Sequence, residues 1–208
     1  MRCWKRLADL LCGLVLLAGA ALVQAADIDI RNPQLALDDD YYVLSADFAI
    51  EFNPRLEEAV SRGLAIYFVA EFELTRPRWY WFDEKAVKAS QSWRLTYHAL
   101  TRQYRLSTGS LHQSYGSLDE ALSALSHLRR WRVAERERLN PGERLDAVLR
   151  MRLDQSQLPK PFQIEAISNK DWTLSSDWKR WFYTVPDAPK AEAARTETPA
   201  PAAGAEAK

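Results

Sequence analysis

Apolar and polar residues alternate with a period of two along most of this chain. Tyr42, Leu44, Ala46, Phe48, Ile50 and Phe52 put one apolar face on a strand whose other face carries Asp47 and Glu51. Leu64, Ile66, Phe68, Ala70, Phe72 and Leu74 repeat the pattern against Glu71 and Glu73, and Trp93, Leu95, Tyr97 and Ala99 repeat it again. Ile28 to Leu37 reads as a further strand, in which Pro33 calls for an edge position or a bulge because it has no N–H to give a ladder. Asp38-Asp39-Asp40 closes the first hairpin. Two more hairpins are predicted: Tyr104 to Ser107 with Leu111 to Tyr115 about Thr108-Gly109, and Trp131 to Arg138 with Arg144 to Leu153 about Asn140-Pro141-Gly142.

Two short helices interrupt the strands. Asn53-Pro54 sets a capping side chain before a proline at the first helical position, and Gly63 ends the segment Pro54 to Arg62. Ser117 and Glu120 form a capping box ahead of Leu118, Ala121, Leu122, Leu125 and Leu128, an apolar stripe at helical spacing. From Leu158 onward, Phe162, Ile164 and Ile167 fit either a strand or a helical turn. Trp172, Leu174, Trp178 and Trp181 read as anchors returning to the core, and a final strand is expected from Lys179 to Val185. Many short strands with sparse helices make the expected fold mainly β, an antiparallel β-sandwich with two short connecting helices.

Composition bounds this domain at both ends. Arg2, Lys5 and Arg6 precede an apolar run from Leu7 to Val23, and Val23-Gln24-Ala25 supplies a cleavage site, so residues 1–25 read as a secretory signal peptide and the protein is expected in the periplasm. Membrane attachment is expected only if this segment stays uncleaved. Residues 186–208 contain no aromatic residue and no Leu or Ile, and are read as a disordered Pro/Ala-rich tail. The β-sandwich is assigned to residues 26–185, a length that buries roughly 70% of the unfolded surface.

Charge and cysteine usage narrow the chemistry. The 28 basic and 28 acidic side chains balance, so no net field draws nucleic acid, and export argues against that partner. Cys3 and Cys12 both lie in the export segment, so the mature chain has no thiol for disulfides, nucleophilic catalysis or metal-thiolate sites. His98, His112 and His127 stand apart, each without a ligand-type partner at i+2 or i+4. Asp38-Asp39-Asp40 lacks the spacing, glycine and distal glutamate of a calcium loop. Ser176-Asp177-Trp178-Lys179 matches Ser-x-x-Lys, but the elements that accompany that motif in penicillin-recognising enzymes are missing. No cofactor is expected, and no catalytic motif stands out.

A set of motifs gives the chain a family likeness. Arg76-Pro77-Arg78-Trp79-Tyr80-Trp81-Phe82-Asp83-Glu84, the stretch Tyr104 to Tyr115, Leu153-Asp154 with Leu158-Pro159 and Pro161, and Asp171-Trp172 with Leu174, Ser176 and Trp178 together resemble a proteobacterial family of exported proteins, domain-of-unknown-function family 4390. The resemblance spans nearly all of Asp27 to Val185. It implies no activity or active-site residue. Genes of that family commonly sit beside a nitrogen-responsive membrane sensor kinase and its response regulator, which implies by association an accessory role in signalling or envelope homeostasis.

Two surfaces are candidates for binding. Arg78, Trp79, Tyr80, Trp81 and Phe82 place aromatics on both faces of one strand, and Arg78, Tyr80 and Phe82 are taken as its exposed members. In the late hairpin, Leu145, Ala147, Leu149, Met151 and Leu153 turned inward leave Arg144, Arg150 and Arg152 outward, and Arg132, Arg136 and Arg138 share that face if Trp131 and Val133 point in. The expected function is that of an exported periplasmic module, not an enzyme, that binds a membrane sensor kinase or another envelope protein. The alternative is a module that acts on or binds cell-wall glycan or peptide, marked by a concave pocket that collects carboxylates or a Ser/His pair.

Overall fold

The computed structural model describes residues 27–77 and 84–187. The export segment, residues 188–208 of the tail, and Arg78, Tyr80 and Phe82 of the aromatic run lie outside the described residues.

The period-two stretches fold into nine described strands in two antiparallel sheets. The smaller has the order β1 (Asp27–Asp38), β2 (Tyr41–Glu51), β7 (His127–Glu135). The larger runs β6 (Leu111–Tyr115), β5 (Gln103–Thr108), β4 (Glu84–His98), β3 (Ile66–Arg76), β8 (Arg144–Leu153), β9 (Lys179–Thr184). Their inner faces share one core, in which Leu44, Phe68, Phe72, Leu95, Leu145 and Leu149 are fully buried. Phe72 of β3 touches Trp131 of β7 across the layers, centroids 6.5 Å apart, and Trp181 of β9 at 6.1 Å. The mainly-β antiparallel fold is as expected, and the two layers stack as a sandwich.

Local signals place most elements. Pro33 sits in the edge strand β1, where the pairing with β2 shifts between Arg31 and Gln34, so the residue without an N–H falls in a bulge. Helix α1 (Pro54–Ser61) starts where Asn53 Oδ1 accepts the Leu56 N–H at 2.9 Å, and ends before Gly63, whose φ of 92° suits a residue without Cβ. Helix α2 (Leu118–Leu125) begins with Ser117 Oγ accepting the Glu120 N–H at 3.2 Å, while the Glu120 carboxylate takes the Gly116 N–H at 2.9 Å. A third helix, α3 (Lys160–Ser168), resolves the ambiguity at Phe162 to Ile167 in favour of a helix. Pro161 in its first turn is compatible with helical φ, and Phe162 packs on Trp172 at 5.1 Å. Trp172 and Leu174 return to the core as expected, whereas Trp178 is 39% exposed.

One predicted pairing is wrong. The late strands do not form a hairpin: β7 pairs with β2 in the smaller sheet, and β8 pairs with β3 and β9 in the larger. Arg136 to Arg138 form a single 3-10 turn rather than the end of a strand, and the Arg136 N–H donates to the Asp40 carbonyl at 2.8 Å. The turn at Asn140-Pro141-Gly142 carries the chain from one layer to the other, with the Gly142 N–H on the Val185 carbonyl at 3.0 Å. Alternation in β7 and β8 marks each as half-buried but does not say which strand lies beside it.

Candidate interaction surface

The inward positions of β8 are as expected: Leu145, Ala147, Leu149, Met151 and Leu153 are all buried. Arg144, Asp146, Val148, Arg150 and Arg152 therefore line the outward face of the larger sheet. Arg132, on β7, lies on the outside of the other layer with its guanidinium 4.8 Å from the Tyr41 ring, and Arg136 sits in the 3-10 turn between layers. The predicted basic stripe is thus divided: the structure brings Arg144, Arg150 and Arg152 together and separates Arg132 and Arg136 from them.

The three arginines of β8 differ in their partners. Arg152 is held by Glu71 of β3 at 3.0 Å, with Asp154 at 3.7 Å. Arg150 lies over the Trp178 ring at 5.6 Å, and its Nε is buried with no acceptor. Arg144 stacks on the Phe182 ring at 4.2 Å. Phe182 belongs to β9, pairs with Asp146, and is 67% exposed. Arg180, two residues away, shares its face. Among the described residues no carboxylate forms an ion pair with Arg144, Arg150 or Arg180, although Arg62, Arg76 and Arg129 each have one. This cluster of cations and exposed rings was half legible: alternation picked out Arg144 and Arg150, but Trp178 and Phe182 were hidden in a segment read only for its core anchors.

Ion pairs also join neighbouring strands of the larger sheet. Arg76 of β3 bonds to Glu143 and lies 3.4 Å from Glu84. Burial raises the Glu143 carboxyl, but bonds from Arg76 and the Asn140 N–H outweigh it and hold the group below the usual carboxylate range. Lys85, bonded at 2.7 Å, lowers Glu73 in the same way against the effect of burial.

A cleft of about 860 Å³ opens elsewhere, between α1 and α3. Glu58, Glu165 and Asp171 line it, which is the concave gathering of carboxylates that the alternative reading asks for. Each faces an arginine: Glu165 bonds to Arg55, Asp171 lies 3.9 Å from Arg55, and Glu58 is 2.6 Å from Arg62. Asn53 Nδ2 donates to the Asp171 carbonyl at 2.7 Å, and the Trp172 indole N–H, buried at the cleft wall, has no acceptor. The serine of the Ser-x-x-Lys match is 4% exposed, and its hydroxyl accepts the Met151 N–H at 2.9 Å, which accounts for it as a β8 ladder substitute. His98 bonds to Thr101 and His127 to the Ser123 carbonyl.

The model of a family described as a domain of unknown function (DUF4390) matches residues 25–182, the whole sandwich up to the middle of β9. No curated protein and no solved structure matches the chain.

Proposed function

The chain belongs to DUF4390, whose description names no activity, and from that premise we propose that it is a periplasmic binding module that captures an envelope protein through the outward face of β8 and β9. The observation that carries this reading is the cluster of Arg144, Arg150, Arg180, Phe182 and Trp178. Arginines with no ion-paired carboxylate among the described residues, interleaved with exposed rings and with Asp146 and Glu71 as the acidic members of the face, are the residue types enriched at binding hot spots. The export signal read from residues 1–25 supports the compartment, and the family likeness makes the extracytoplasmic part of a membrane sensor kinase the first partner to test.

Arg144→Glu and Arg150→Glu, made together in the full chain, should abolish crosslinking to that kinase domain in intact envelope. The variant should still melt cooperatively, at a slightly lower temperature, because Arg144 is exposed and Arg150→Glu sets a carboxylate opposite Glu71. Undiminished crosslinking by the folded double variant overturns the assignment of this face. Osmotic-shock release of a protein starting near Ala26 is the expected result for the compartment; recovery only with membranes at precursor mass contradicts it.

The α1–α3 cleft favours one second reading, a site for a cell-wall sugar or peptide, because a concave surface with Phe162, Trp172 and polar groups is the usual shape of such sites. Binding of muropeptides, lost on Arg62→Glu, is the result that would replace the first reading with this one.

A further inference from the structure

β9 is the last strand of the larger sheet, and one side of it is unpaired among the described residues. Which of its backbone groups point out follows from its bonds to β8. The Val185 N–H donates to the Glu143 carbonyl at 2.8 Å and the Val185 carbonyl accepts from Gly142. Antiparallel pairing alternates, so Tyr183 and Trp181 also turn their N–H and C=O groups toward β8. The N–H and C=O groups of Arg180, Phe182 and Thr184 therefore face away from the sheet. These are also the residues whose side chains lie on the outward face beside Arg144 and Arg150.

The sheet edges are not alike. β1 is broken by the bulge at Asn32-Pro33, and β7 pairs with two register shifts and carries Arg130 at φ 50°. β6 and β9, the two edges of the larger sheet, pair over five and six residues without a shift, so the outer side of each is a regular ladder of donors and acceptors, and of the two only β9 carries lysine and arginine. We propose that β9 takes up an extended acidic segment of a partner protein as a seventh strand of the larger sheet. This rests on the reading of β8–β9 as the binding face and names how that face works. Main-chain bonds to Arg180, Phe182 and Thr184 hold the segment. Carboxylates at alternate positions lie on the outward face and meet Arg180 and the guanidinium that Arg144 holds over Phe182, and the intervening apolar side chains turn to the inner face beside Trp181 and Tyr183.

Charge selects the occupant. Lys179, Arg180, Arg144 and Arg150 lie along this edge and none has an ion-paired carboxylate among the described residues, so that even with Asp146 opposite Phe182 the cations prevail and β9 pairing with β9 of a second copy would bring like charges to one seam. The same cations that exclude a copy attract an acidic strand.

The probe is a fluorescein-labelled ten-residue peptide of alternating glutamate and valine, titrated onto the full chain by fluorescence anisotropy. It should bind, weaken as salt rises, and lose at least tenfold in affinity when N-methylated on one alternate set of residues but not on the other. Arg144→Glu with Arg180→Glu should abolish that binding and confer binding of the matching lysine–valine peptide. Phe182→Pro, which removes an outward N–H and no bond to β8, should weaken binding while the protein still melts cooperatively. Equal loss, or none, with the two methylated peptides overturns strand addition in favour of charge attraction alone. No binding, or self-association that shuts the peptide out, shows that the cations only guard the edge. If the peptide fails yet Arg144→Glu with Arg150→Glu still abolishes kinase crosslinking, strand addition falls and the binding face stands; if both fail, both fall.

Discussion

Tyr42 of β2 and Tyr183 of β9 meet edge to face across the two sheets, with ring centroids 6.3 Å apart and planes at 86°. The contact fastens the last strand of the larger sheet to the centre of the smaller one. Burial pushes the Tyr183 hydroxyl up to about 12, with a further rise from Tyr42, whose own hydroxyl is also raised by burial. A raised value means that folding favours the neutral phenol. The stabilisation is complete below the ordinary tyrosine value of about 10 and is lost as pH rises through about 12. Ultraviolet titration should show a late-ionising tyrosine that is absent from Tyr183→Phe. Ionisation of every tyrosine near the ordinary value would contradict this packing.

Arg76 and Glu143 should dominate the acid limb of stability. Glu143 and Glu73 are both held below the ordinary carboxylate range, so each contributes stability above the unfolded value of about 4.3, and the contribution disappears as pH falls below it. Glu143→Gln should lower the melting temperature at neutral pH and flatten its fall in acid. Arg76→Ala should cost about 1–3 kcal/mol, because it leaves a partly buried carboxylate unpaired. Denaturant melts across pH 3 to 7, values set by the ordinary carboxylate range, test both.

Arg55 spans the cleft by meeting Glu165 of α3, Asp171 and the face of Trp172, 6.0 Å from the ring centroid. The pair is partly exposed, so Arg55→Ala should cost no more than about 1 kcal/mol of global stability. The effect should instead be local, with faster amide exchange in Lys160–Ser168 than elsewhere. Uniform acceleration across the sandwich would show that α3 does not open on its own.

What could be read from the residues was the inside of each strand. Leu145 to Leu153 at alternate positions settled the orientation of β8, and with it the outward direction of Arg144 and Arg150. Asn53 and Ser117 fixed where α1 and α2 begin, because a cap is a contact between residues three apart. Neighbours far apart in sequence left no such trace. The place of Arg132 and Arg136 depended on whether β7 lies beside β8 or β2, and both options bury Val133 equally well. Phe182 was missed for a related reason: in Trp181-Phe182-Tyr183 every position is aromatic, so only the pairing with Asp146 shows which ring is outside.

The partnership of β7 with β2 rather than with its sequence neighbour has a consequence in time. β3 to β6 are consecutive and pair in order, so each closes only a short loop, whereas joining Asp47 to His127 closes one of roughly 80 residues. A chain that becomes available from its N-terminus can complete the meander β3–β6 while the smaller sheet still waits for β7. Destabilising substitutions in β3–β6, such as Leu95→Ala, should therefore slow refolding, and those in β7, such as Val133→Ala, should leave it unchanged and quicken unfolding. Until β7 and β9 arrive, one edge of β2 is unpaired and Tyr42 lacks the Tyr183 ring it packs against, which makes the first hairpin the part of the nascent protein most in need of a chaperone.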